Sequence, residues 1–67
     1  MTKNNAGLAR ARRDHKAAMR EYDKACTAYY RQMERPGEAA AAAKMRTASD
    51  RLDEAARAVE VAEARVG

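Results

Sequence analysis

Two stripes of mostly apolar positions run along the chain, one on each side of Pro36-Gly37. In the first half Leu8, Arg12, His15, Met19, Tyr22, Cys26, Tyr29 and Met33 recur at alternating steps of four and three. In the second half Ala41, Met45, Ala48, Leu52, Ala55, Val59, Ala62 and Val66 do the same. That period belongs to helices lying face to face. Reversing the chain at Pro36-Gly37 sets Met33 opposite Ala41, Tyr29 opposite Met45, Tyr22 opposite Leu52, His15 opposite Val59 and Leu8 opposite Val66. The stripes are then in register along their whole length. The predicted fold is all-α, a single two-helix antiparallel coiled-coil hairpin with helix 1 at about 5-34, a turn at 35-37 and helix 2 at about 38-66.

Local signals agree with this division. Asn5 is placed to cap the first helix, although Gly7 weakens its first turn. The residue before a proline is pushed out of helical geometry, so the first helix ends at or before Arg35, and Gly37 is expected to relax the turn. Glu38 puts a negative charge at the positive end of the second helix, and the run Ala39 to Ala43 is a strong helix former. No strand pattern and no linker interrupt the hairpin.

At 67 residues the chain is one domain at most, close to the size at which a single core struggles to support itself. It has no Trp or Phe and one Cys, so neither large aromatics nor a disulfide framework strengthens it. Half of the stripe positions in the second helix are Ala, which bury little area. Self-association into a four-helix bundle is the expected remedy. Strips of small residues flank the stripes, Ala11, Ala18 and Ala25 on one helix and Ala42, Ser49 and Ala56 on the other, and either strip offers close approach to a partner hairpin.

Charge divides unevenly. Residues 1–35 carry nine Lys or Arg against four Asp or Glu, a net of +5, and residues 36–67 carry five against six, a net of −1. Arg10, Arg13, Lys16, Arg20, Lys24 and Arg31 gather on the side of helix 1 away from its stripe. Lys16, Arg20 and Lys24 form a row of like charge, whereas helix 2 pairs Arg46 with Asp50 and Asp53 with Arg57 at helix-supporting spacing. Such a basic strip suits a nucleic-acid phosphate backbone, and the bland reading is a solvated face diluted by Asp23 and Glu34. No aromatic residue interleaves with it to stack on bases.

Arg12 and His15 interrupt the stripe as polar residues at core-type positions, a place where register or partner choice is set. Tyr30, on the stripe's edge, has the side chain favoured at protein interfaces. Cys26 reads as a small buried hydrophobe in a reducing compartment. The sequence has no carboxylate pair, serine triad, phosphate-binding glycine loop or metal cluster, so catalysis, a cofactor and a metal are not expected. With neither a signal segment nor a membrane span in view, the chain reads as cytoplasmic, and its Ala, Arg and Glu usage points to a bacterial or phage source.

Tyr30-Arg31-Gln32-Met33-Glu34 has the Y-x-x-x-[DE] spacing of the W-x-G hairpins exported by type VII secretion. The chain has no Trp and the match lies before the turn, so that family's function is not carried over. In plan, with its length, single turn and basic first helix, the chain is similar to the Rop family of plasmid copy-number regulators. Those short hairpins dimerise into four-helix bundles and bind RNA through the first helix, and the likeness is one of architecture, without a shared motif.

The expected function is that of a non-enzymatic interaction module, a small phage or bacterial regulator that binds a larger protein through its helix faces, with Arg12, His15 and Tyr30 at the contact. The alternatives are a nucleic-acid-binding hairpin using the basic strip, and a structural component of an assembly.

Overall fold

A computed structural model describes residues 3–66, with side chains from residue 6 onward. It consists of two helices, α1 (Lys3–Gln32) and α2 (Glu38–Val66), packed against each other along their length. The rod measures 51 × 14 × 11 Å, with a radius of gyration of 15.3 Å. A compact domain of this length would have a radius near 11 Å. The helices run antiparallel, as the two ion pairs that cross between them show: Arg12 with Glu63 and Glu21 with Arg51. Asn5 is already helical, so it is not the cap, and whatever precedes Lys3 lies outside the described residues.

The turn departs from expectation in an instructive way. Helix α1 stops at Gln32, two residues short of Glu34, because Glu34 takes a left-handed conformation with φ of 65°. Gly37 has no positive φ, so the glycine is not where the chain reverses hand. Its lack of a side chain leaves room for Gln32 instead: a Cβ at Gly37 would sit 2.7 Å from the Gln32 Oε1. The Arg35 N–H donates to the Gln32 carbonyl and the Glu38 N–H to the Arg35 carbonyl, each at 3.0 Å, and the Ala41 N–H opens the α2 ladder by donating to the Gly37 carbonyl. The Glu38 carboxylate reaches back to accept the Glu34 N–H at 3.0 Å. One acidic side chain thus satisfies a donor in the turn and faces the positive end of its own helix.

Burial identifies the contact. Among the described residues only Ala11, Ala41 and Ala48 are buried, and no side chain is fully enclosed. The half-buried residues of α1 are Leu8, His15, Ala18, Tyr22, Ala25, Cys26, Tyr29 and Gln32. Those of α2, beyond Gly37 and Glu38 at the turn, include Met45, Leu52, Ala55, Val59 and Ala62, flanked by Ala42, Ser49 and Ala56. The α2 stripe is therefore as expected down to Ala62, with Val66 exposed. The α1 stripe is not. Arg12, Met19 and Met33 are exposed, and their places beside α2 are taken by Ala11, Ala18, Ala25 and Gln32.

Two layers result. One pairs small residues across the contact, as seen in the shared grooves that hold Ala11 with Ala62, Ala18 with Ala55 and Ala25 with Ala48. The other sets His15 level with Val59, Tyr22 with Leu52 and Tyr29 with Met45, the register expected from the sequence, and these larger side chains stay half open to solvent. The intrahelical pairs Arg46–Asp50 and Asp53–Arg57 do not form within 4.0 Å among the described residues. Exposed ion pairs of this kind return little for the side-chain entropy they cost.

Relieving the left-handed strain is expected to stabilise the hairpin. Glu34→Gly should contribute about 0.5–1 kcal/mol and raise the melting temperature by a few degrees, as followed by circular dichroism. Destabilisation would mean that the Glu34 side chain itself holds the turn.

Candidate functional site

The fold gives the hairpin two unlike sides. On one side the alanine layer is bordered by shallow grooves rimmed by charged residues, one of about 430 Å3 lined by Gly7, Arg10, Asp14, Val61 and Arg65 among others. On the other side lie the large-residue layer and, outside it, a row of Arg12, Met19, Cys26 and Met33 on α1 facing Ala42, Ser49, Ala56 and Glu63 on α2. The Arg12–Glu63 ion pair, 3.8 Å between Nη2 and Oε2, ties the far end of this row across the two helices. Met19 is 48% exposed and Met33 45%, large fractions for side chains of this hydrophobicity. This open face carries Met19 and Met33, two of the exposed large apolar side chains. It contains the residues that the sequence pattern places between the helices.

The interface candidates fall on or beside it. Arg12 is exposed and held by Glu63. His15 is half-buried in the large-residue layer. Tyr30 is 72% exposed at the margin, its ring tilted 58° against that of Tyr29 with centroids 6.2 Å apart. The structure thus brings all three to one side of the hairpin. What the pattern of large residues does not reveal is the part played by Met19, Cys26 and Met33. The available signal is Ala11, Ala18 and Ala25 at heptad spacing, since small residues at that spacing let two backbones approach.

The nucleic-acid candidates Arg10, Arg13, Lys16, Arg20, Lys24 and Arg31 are all exposed, and none takes part in the two interhelical ion pairs. They wind along the outward surface of α1. Arg10 borders the alanine-side groove, while Lys24 and Arg31 share a shallow outer groove with Asp23, Thr27 and Ala28. Asp23 lies within the strip and dilutes its charge.

On the open face Tyr22 and Cys26 stand one helical turn apart, both half-buried. The neighbouring Cys26 side chain, followed by desolvation and the nearby Tyr30 and Asp23, pushes the Tyr22 phenol above its ordinary value. Among the described residues no three His, Cys, Asp or Glu side chains converge on a metal-sized site. No helix there is long and apolar enough to cross a membrane. Compared with known protein families, curated proteins and solved structures, the chain matches none.

Removing the sulfur tests the local arrangement. In Cys26→Ala the Tyr22 ionisation should fall back towards the ordinary phenol value near 10, read from tyrosinate absorbance. The sign for stability follows from a folded value raised above the unfolded one. Tyr22's contribution is complete below the ordinary phenol range and is lost as pH rises through its folded value. An unchanged titration in Cys26→Ala would separate the two side chains.

Proposed function

We propose that this chain is a non-enzymatic helical interaction module that dimerises into a four-helix bundle and acts by presenting helix faces to a larger protein, as a small cytoplasmic regulator of bacterial or phage origin. One observation carries the reading. The only buried side chains among the described residues are three alanines, while on or beside the open face Met19, Met33 and Tyr30 are 48%, 45% and 72% exposed. A hairpin that leaves its large apolar residues in water gains most by covering them with another polypeptide. Tyr30, exposed at the margin of that surface, supplies an aromatic group for the larger protein, while Arg12 and His15 lie on the face that self-association covers and supply its polar specificity.

A second reading is supported by the outward basic row on α1. Arg13, Lys16, Arg20 and Lys24 succeed one another at steps of three and four along an exposed helix surface, a spacing that suits salt-sensitive contact with phosphates. The two readings use different surfaces and are separable. Replacing Arg13, Arg20 and Lys24 together with Gln should abolish a nucleic-acid complex that weakens with salt, and leave an apolar protein contact intact. Fluorescence anisotropy with a labelled RNA hairpin at low and moderate salt reads the first, and the mass of the protein complex reads the second.

Sedimentation velocity at tens of micromolar tests the module itself. The expected species has twice the 7.4 kDa chain mass. A fully helical monomer would contradict the proposal, and higher-order association would move the chain to a structural component of an assembly.

A further inference from the structure

Resting on the reading of the chain as a self-associating hairpin, we infer that the open face is covered by a second copy, packed face to face with both turns at the same end. The rod as a whole has surface to spare for such a partner. A compact monomer of 7.4 kDa exposes about 4,200 Å2, and this chain exposes 5450 Å2, an excess of about 1,250 Å2. Burying that excess on each of two copies removes about 2,500 Å2, within the range of obligate homodimers.

Size and charge along the face select the orientation. The register set by Arg12 and Glu63 puts Met19 level with Ala56, Cys26 with Ser49 and Met33 with Ala42. With the turns together, the two-fold axis runs along the rods, and α1 of one copy lies over α2 of the other at the same height. Each larger side chain of α1 then meets a small one of the second copy: Met19 over Ala56, Cys26 over Ser49, Met33 over Ala42. At the far end Arg12 meets Glu63, so two cations and two carboxylates share one layer. With the turns at opposite ends, α1 lies over α1 and α2 over α2. Large residues then collide with large ones, small residues face small ones across a void, and Arg12 and Glu63 come to rest over apolar residues near the other turn. Dense interiors alternate large and small side chains across facing positions, and only the first arrangement does so here. It is also self-complementary, since the same α1–α2 contact occurs twice.

Two sets of variants test this. Met19→Asp should raise the dimer dissociation constant at least about 100-fold, and Met19→Ala, which keeps the helix, about tenfold. Val61→Asp, on the alanine-side groove, should change it less than about threefold. Loss of the dimer in Val61→Asp with retention in both Met19 variants would overturn the choice of face while leaving dimerisation standing. For orientation, a nitroxide on Arg35→Cys in a Cys26→Ser background is read by pulsed electron spin resonance. Turns at one end give a separation of roughly 20–30 Å, the width of a four-helix bundle plus the labels. A separation near the 51 Å length of the rod would overturn the same-end packing. Absence of any intermolecular coupling, with a monomer mass, would overturn the dimer as well.

Discussion

The contact between α1 and α2 is made on one side by alanine against alanine, and the rest of the structure follows from what such a contact can and cannot supply. Ala11, Ala18 and Ala25 facing Ala48, Ala55 and Ala62 let two backbones lie close without steric conflict, and they cost almost no side-chain entropy. They also bury little area. At roughly 25 cal/mol per Å2, the difference between burying an alanine and burying a leucine is more than 1 kcal/mol at each position. The close approach pushes the larger residues, Tyr22, Leu52, Met45 and Val59, to one edge of the contact, where the hairpin alone half covers them. The two-sidedness of the rod is therefore a packing consequence of where the alanines sit. The apolar face is what remains when two helices meet through their small side.

Much of this is legible in the sequence. The two helices, their antiparallel register and the α2 stripe from Ala41 to Ala62 follow from heptad spacing about a single turn, and His15, Tyr22 and Tyr29 stand level with Val59, Leu52 and Met45 as the pattern requires. The α1 contact row departs from the pattern for a physical reason. Heptad spacing assigns large apolar residues to the space between the helices, yet Met19 and Met33 are one position along from the small and polar residues that occupy it. A hydrophobicity pattern reports which side of a helix avoids water and leaves open what covers it. The turn differs in a similar way. Pro36-Gly37 marks its place, but the left-handed residue is Glu34, and its strain is offset by the hydrogen bond from its N–H to Glu38, which composition does not reveal.

Charge sorts onto the surfaces that apolar packing leaves over. Arg13, Arg20 and Lys24 point away from both the alanine contact and the open face, so a second hairpin on that face leaves them in solvent. Protein association and contact with a polyanion are thus compatible on one molecule. Arg12 and Glu63 differ from the outer charges because they pair across the two helices at the end of the open face, both still exposed. Tyr30 stands between the two regions, largely exposed and stacked at an angle on Tyr29.

The central claim is that the hairpin's stability is shared between copies, and the dependence of thermal unfolding on protein concentration tests it most directly. A chain that buries its large apolar side chains only on association melts at a temperature that climbs with concentration, because mass action favours the associated native state. Helicity followed from about one to several hundred micromolar should show a midpoint rising steadily across the series. A midpoint independent of concentration, with full helicity at the dilute end, would mean that the alanine contact holds the hairpin by itself, and would contradict a stability shared between copies.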